Sequence, residues 1–425
     1  MQNRVLRGNS IPQGGAVNPV VGGVAEGGML LPDTGQTQAM ANVFFEHSEQ
    51  NYLQLNEERL VPGGQTNFRL QNVGLGEGLE IYVTGTFNVR NSHATAAQTV
   101  DIAPEFPFNT ISNLNLMFNG KVAIINCDGY QLLNLMLKRN FRNMFISAAN
   151  RIDSRIARLS VTGAGVTTVA GETLTGISRI NIPAMTTATV AYELYLDVPF
   201  TLRKDLPFGL LPMNHNAIHA GVTITTRHLI GANPESPLFA AGANIAVDGV
   251  PDIRVLPTYN FWGLPSDPAL YQFFTNNSYA VTSIPRNPIG SVGERALSYN
   301  FPVNYWLISA LFTIRNNAGA LADIRANVNF PHLVYNGTVA VDRSEIRTRV
   351  AREILTTGRQ YPYGCLFFDS AQTNNLDGNS ANTSKWLNMY QANNPSFFAH
   401  IAGLTVPGSF DVLLEQIVPN YITVL

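Results

Sequence analysis

The chain has 425 residues, 45% hydrophobic and only 13% charged, with 27 Lys and Arg nearly balancing 29 Asp and Glu. That length exceeds one ordinary core and implies two domains or more, while the apolar content excludes wholesale disorder. A net charge of −2 argues against a dedicated nucleic-acid binder, which carries a basic domain. Two cysteines, Cys127 and Cys365, make neither a disulfide framework nor a four-thiolate zinc site, and both read as free buried thiols. No apolar run is long enough to span a bilayer as a helix. Leu6 and its neighbours are not followed by an apolar h-region, so a signal peptide is not expected.

In chain order, residues 1 to about 35 are rich in Gly, Pro and Val without a period, as in an arm. Ala39 to Gln50 reads as a short helix with Met40, Val43, Phe44 and His47 on one side. From Gln65 strands take over. Leu79, Ile81, Val83, Phe87 and Val89 alternate with polar residues, the mark of a strand with one buried face. Phe118-Asn119-Gly120 is a tight turn, because Asn and Gly tolerate positive φ. Asp128 with Gln131 three residues later is a capping-box start, and the helix it opens ends at Lys138-Arg139. Residues 159 to 185 form a Thr/Gly/Val-rich excursion of hairpins or a long loop. Alternation returns at Val190, Tyr192, Leu194, Leu196 and Val198, and again at Ile218, Ala220, Val222 and Ile224. Residues 231 to 252 read as an interdomain connection.

The second half restates the first. Phe312-Thr313-Ile314-Arg315-Asn316 repeats Phe87-Asn88-Val89-Arg90-Asn91 at an offset of 225. Tyr335-Asn336-Gly337 repeats the first Asn-Gly turn at an offset of 217, and Asp342-x-x-Glu345 repeats the capping pattern. One shorter loop in the second copy accounts for the drift of eight. Trp306, Ile308, Ala310, Phe312 and Ile314 are expected on one strand face. The chain therefore reads as all-β: two tandem eight-stranded jelly rolls with short helices inserted in loops. The expected divisions are residues 1–60 for the arm and short helix, 61–250 for the first jelly roll and 251–425 for the second.

A search for chemistry finds none that stands above background. His215-x-x-x-His219 has helical zinc spacing, but the flanking alternation says strand, where four residues span roughly 13 Å. Gly74-x-Gly76-x-Gly78 lacks the Gly-Lys-Ser/Thr ending of a phosphate loop and reads as a flexible turn. The basic clusters, such as Lys138-Arg139-Arg142, read as solvated helix faces or subunit contacts. No catalytic, cofactor-binding or metal-ligating residue is assigned, and no enzyme activity is expected.

At Asn91-Ser92-His93-Ala94-Thr95, at the paired Asn-Gly turns, and at Arg349-Val350-Ala351-Arg352-Glu353-Ile354 followed by Gly364-Cys365-Leu366-Phe367-Phe368-Asp369, the chain resembles the major capsid proteins of tectiviruses. These are double jelly-roll proteins of icosahedral, membrane-containing bacteriophages, in the lineage of adenovirus hexon. The resemblance runs from about Gln65 to the C-terminus, is specific from Trp306 to Asp369 and looser elsewhere, and does not match in detail in the N-terminal arm or residues 159–185. It implies pseudo-hexagonal homotrimers that tile a virion shell assembled in the host cytoplasm. It also implies penton and minor capsid proteins as partners, and an arm reaching an internal membrane or a neighbouring trimer, without direct nucleic-acid contact. Leu6, Phe44 and Phe45 would be the arm's apolar contacts, and loops 159–185 and 370–385 the outward towers. Two other readings remain open: a hydrolase or glycan-binding protein on two jelly rolls, and a minor capsid or spike component.

Overall fold

The computed structural model describes residues 34–119, 122–139, 151–202, 206–214, 218–240, 244–339, 364–369 and 386–419. Eight strands build the first half: β1 Gln50–Gln54, β2 Gln65–Arg69, β3 Leu75–Asn91, β4 Ile111–Phe118, β5 Val122–Cys127, β6 Thr187–Pro199, β7 Ala220–Thr226 and β8 Ile245–Trp262. Their counterparts in the second are β9 Asn277–Ile289, β10 Gly293–Asn300, β11 Trp306–Arg315, β12 Val328–Tyr335, β13 Thr338–Val339, β14 Cys365–Asp369, β15 Ser396–Ile401 and β16 Gly408–Pro419. The strand orders match position for position. β1-β8-β3-β6 corresponds to β9-β16-β11-β14, and β2-β7-β4-β5 to β10-β15-β12-β13. Two four-stranded sheets in these orders form a jelly roll, and the chain carries two.

The alternation read from sequence is realised in the first half. Leu79, Ile81, Val83, Phe87 and Val89 of β3 are buried, and so are Val190, Tyr192, Leu194, Leu196 and Val198 of β6. The eight-residue drift of the repeat lies in one loop. From Asn91 to Ile111 the chain advances 20 residues, but from Asn316 to Val328 only 12. The longer loop holds a strand, Gln98–Ile102, and a single 3-10 turn, Phe108–Thr110. Gln98–Ile102 pairs with Ile177–Ile182, which pairs with Thr167–Ala170, so much of the 159–185 excursion is hairpin. Each of the equivalent strand ends closes on its own Asn: Asn91 Oδ1 accepts from the His93 amide and Asn316 Oδ1 from the Ala318 amide, both at 2.9 Å.

The Asn-Gly turns are equivalent as well. Asn119 and Asn336 both sit at φ +50°. Each side chain also reaches the residues that lead into the neighbouring strand: Asn119 Oδ1 accepts from the His219 amide (2.7 Å) and Asn336 Oδ1 from the Asn393 amide (2.6 Å). They differ in length, since Phe118 pairs with Val122 across three residues and Tyr335 with Thr338 across two.

Four expectations are corrected. A boundary at 250/251 would cut β8, which pairs with β3 along its length; Gly249-Val250-Pro251 reads as a linker but is a bulge, with Gly249 at φ +76° and the register shifting between Asp248 and Asp252. Similarly, β1 lies inside the segment assigned to the arm, yet it is a strand of the first jelly roll. The connection between halves is instead the stretch around α3, Ala269–Thr275. Of the three glycines at 74, 76 and 78, only Gly74 has a turn conformation (φ +59°), whereas Gly76 and Gly78 lie within β3.

The Asn119 clamp yields a prediction. Asn119→Ala removes both the tolerance of positive φ and the bond to His219, and lowers unfolding stability by about 1–2 kcal/mol. Asn119→Gly keeps the turn and loses only the bond. Chemical denaturation should rank the three chains parent, Gly, Ala.

Candidate functional site: the joint between the halves

The two jelly rolls share one sheet. β5 lies parallel to β9, with Ile125 opposite Val281 and Asn126 opposite Thr282, so the first half's β2-β7-β4-β5 continues into the second half's β9-β16-β11-β14. Side chains from β11 and β16 leave this sheet on both sides. Ala310, Phe312, Ile314, Val412 and Leu414 enter the second core, where Phe312 stacks on Phe397 at 4.1 Å. Ile308, Leu311 and Leu413 enter the first-half core on the opposite side. Nine of the ten residues of β11 are therefore buried. The single apolar face expected from Trp306 to Ile314 is two faces, because the register slips between Leu307 and Ser309.

The helix α2, Gly129–Arg139, sits at this joint. Its capping box forms as the sequence spacing predicts: Gln131 N–H donates to Asp128 Oδ1 (2.7 Å), and Asp128 N–H donates to Gln131 Oε1 (3.1 Å). At its other end Lys138 is buried, not solvated, and forms an ion pair with Glu415 of β16, the side chains being 2% and 4% exposed. Tyr279 (2.8 Å) and Ser309 (2.6 Å) also donate to Glu415. Burial would raise the Glu415 pKa, but the Lys138 charge and these hydrogen bonds hold it below the usual carboxylate value. Arg139 lies over the Tyr279 ring, 5.5 Å from its centre.

A second cluster sits at the N-terminal end of α2. Arg315 of β11 reaches Glu105 of the first half at 2.9 Å, with side chains 6% and 1% exposed. Asp411 stands 3.8 Å from Arg315, and Glu235 holds Arg286 at 2.9 Å and Arg227 at 3.5 Å. Asp128, Arg227, Glu235, Arg286, Arg315 and Asp411 line a cleft of about 320 Å³ between the halves. Burial raises the Asp128 pKa to about 6, although the Gln131 amide and Arg315 pull it down; Asp411 pushes the same way as burial. For Arg315 burial alone would lower the pKa, and the carboxylates of Glu105, Asp128 and Asp411 outweigh it.

Buried charge pairs hold the two halves together at this joint. Burial pushes the Cys365 thiol up to about 12 and the Cys127 thiol higher still, so neither is a thiolate nucleophile near neutral pH. Among the described residues no group of three or more His, Cys, Asp or Glu is placed to hold a metal ion. His219 packs its ring against Arg69, while His215 lies outside the described residues. Of the expected arm contacts, Leu6 lies outside the described residues. The helix α1, Thr34–His47, starts five residues before its expected position. Its Phe44 is fully buried against Trp262 and Phe274, both rings centred 5.6 Å away, and Phe45 packs on Trp262 at 5.0 Å. Phe44 thus ties α1 to its own chain and is not available as an outward anchor. Tower loop 370–385 and the second capping pattern lie outside the described residues.

Sequence reasoning missed Glu105, Lys138, Arg315 and Glu415 as joint residues. The signal it had was Arg90 and Arg315 at the same repeat position, and a β11 run apolar on both faces.

No protein-family model matches the sequence, and no curated protein does. Solved structures do. The crystal structure of the STIV major capsid protein (MCP) superimposes with a TM-score of 0.56 at 13% identity, covering 89% of this chain and 99% of that one. The atomic structure of Sulfolobus Turreted Icosahedral Virus gives 0.54 at 12%, covering 88% and 92%. The Faustovirus major capsid protein gives 0.53 at 8%, covering 87% and 90%. At such identities the likeness establishes the fold, a double jelly roll, over nearly the whole chain.

Breaking one partner of a buried pair leaves the other uncompensated. Lys138→Met therefore lowers stability by about 3–5 kcal/mol in urea melts, and Lys138→Met combined with Glu415→Leu recovers most of it. Asp128→Ala costs roughly 0.5–2 kcal/mol through the lost cap. Asp128→Asn keeps a capping acceptor and removes a charge whose pKa folding raises. Such a carboxyl stabilises the fold most below its unfolded pKa and loses that contribution as pH rises through about 6. The stability of Asp128→Asn relative to the parent should thus increase from pH 4 to pH 7 and then level off, as read from melting temperatures across that range.

Proposed function

We propose that the chain is a major capsid protein that forms homotrimers of pseudo-hexagonal outline tiling an icosahedral virion shell. The observation that carries this reading is the joint: two jelly rolls of identical strand order, fused through one sheet and buried ion pairs into a single body. Three such chains place six near-equivalent sandwiches around one axis, the repetition a closed shell needs. The fold likeness supports it, since the STIV and Faustovirus proteins are described as major capsid proteins. The absence of an identifiable reaction centre among the described residues is compatible with a structural role.

The finer parts of the proposal rest on the tectivirus resemblance. The protein resides in the virion, is assembled in the host cytoplasm, and meets penton and minor capsid proteins at the shell's special positions. Residues before α1, with Leu6 among them, reach an internal membrane or a neighbouring trimer. Phe45, half-buried on Trp262, contributes at most a shoulder to that contact.

Mass measurement and negative-stain imaging of purified protein test this. The expected particle is a homotrimer with a hexagonal outline; a stable monomer at micromolar concentration sinks the capsid reading. Deleting residues 1–33 should leave the trimer intact and abolish shell or membrane attachment, scored by co-flotation with vesicles and by particle yield.

A further inference from the structure

The cleft between the halves offers more hydrogen-bonding capacity than the described residues use. Its volume of about 320 Å³ is room for roughly ten waters at about 30 Å³ each, so a small polyatomic ligand fits. Gln131 lines it and is only 1% exposed, yet its Nε2 has no partner. Its Oε1 accepts from the Asp128 amide, so turning the side-chain amide over would break the capping box. Arg227, directly after β7, also lines the cleft, and its buried Nε has no partner either. Both orphans are donors, and a buried donor without an acceptor is costly. The missing group is an acceptor.

The charges in and around the cleft leave one group over. Arg286 and Arg227 share Glu235, while Arg315 is held by Glu105 with Asp411 nearby. Three guanidiniums thus meet three carboxylates, and Asp128 is the fourth acid. Its Oδ1 accepts from the Gln131 amide, which leaves Oδ2 for the cleft. The charges that act on it are Arg315 of β11, Asp411 of β16 and Arg227, and the neighbouring Cys127 stays a neutral thiol. Enclosure and the Asp411 charge raise its pKa to about 6. Protonated, Asp128 is a third donor beside Gln131 and Arg227; ionised, it repels any bare anion that approaches them.

We propose that this cleft binds a tetrahedral oxyanion, inorganic phosphate or a phosphate monoester, through Gln131 Nε2, Arg227 Nε and the Asp128 carboxyl, with one proton shared between Asp128 and the ligand. The start of α2 favours negative charge at the same place. Glu235 and Asp411 oppose the ligand weakly, because arginines already neutralise them. A carboxyl beside an oxyanion needs a proton between the two, supplied by either partner. Inorganic phosphate carries an exchangeable proton through neutral pH and can donate it to an ionised Asp128. Sulfate has none to give, and a phosphate monoester loses its second proton at about pH 6. The ligand would lie among residues of both halves, so its binding stabilises the joint. This inference stands apart from the capsid reading and survives or fails without it.

Calorimetric titration of the full chain with phosphate, glycerol 3-phosphate and sulfate tests it, at constant ionic strength from about pH 5.5 to about pH 7.5. Sulfate affinity should fall about tenfold per unit above pH 6, as Asp128 loses its proton. Phosphate affinity should stay nearly level, because that ligand brings the proton. Glycerol 3-phosphate binding more tightly than phosphate near pH 6 marks an esterified ligand, and the reverse order marks the free ion. Asp128→Asn keeps the cap and supplies a permanent donor. It should therefore raise sulfate affinity at neutral pH about tenfold and remove its pH dependence. Arg227→Gln should weaken every anion by roughly tenfold, whereas Arg155→Gln, on an exposed arginine outside the cleft, should change nothing. Sulfate binding that ignores both pH and Asp128→Asn overturns the inference. So does the absence of heat and of any rise in melting temperature with all three anions, which leaves water as the cleft's occupant.

Discussion

Everything in this molecule depends on the second half's inner sheet being buried on both faces. One face is the floor of the second jelly roll; the other is closed by α2 and the first-half core. A sheet buried twice cannot keep polar side chains on its far side unless each finds a partner. Ser309, Glu415 and Arg315 do so, with Lys138, Tyr279 and Glu105 completing the set. Ion pairs of this kind add little net stability over apolar packing, because desolvation offsets their attraction. What they add is register. Lys138 meets Glu415 only if α2 lies along β16, and Arg315 meets Glu105 only if the two jelly rolls are set at one angle. Apolar contacts from Leu311 and Leu413 would tolerate sliding; two buried charge pairs at opposite ends of one helix do not.

The same geometry explains why one helix carries so much. α2 is amphipathic in the ordinary sense, yet ten of its eleven residues are buried, because both jelly rolls claim a side of it. Its first turn is fixed by the Asp128–Gln131 box and its last by Lys138. The capping carboxylate stands in the cleft among three arginines and two other acids. Its proton affinity is raised by enclosure even as the helix terminus favours its charge.

The sequence made much of the fold legible and little of the joint. Period-two alternation in β3, β6 and β7 is a local property, set by one buried and one open face, so reading along the chain recovers it. The Asn-Gly turns and the Asp128 box are likewise local chemistry. Three features are not. Gly249-Val250-Pro251 carries linker composition, but long-range pairing with β3 makes it a bulge. Lys138 carries the composition of a helix C-terminus, yet a strand nearly 280 residues later supplies its partner. Phe44 looks like an exposed anchor on an arm, but Trp262 and Phe274 enclose it. In each case the deciding neighbour is distant in sequence, and no local pattern encodes it.

The repeat itself supplies the last step. Two copies of one unit within a chain begin with equivalent surfaces, and they stay alike only where their surroundings are alike. Inside the sandwiches the equivalents remain apolar, as Val89 and Ile314 or Phe87 and Phe312 do. On the joint face they diverge at one position, where Leu311 enters the first-half core and Thr86 remains polar. Arg90 and Arg315 are the same residue on that face in two environments, one exposed and one buried. A guanidinium always stays charged and is costly to bury unpaired, so burial of Arg315 demands acids around it. Arg90 has the same strand position but stays exposed, with Asp248 opposite Asn88 where Asp411 lies opposite Thr313. The same residue therefore follows its surroundings, buried among acids where the halves meet and left in solvent where the face is open.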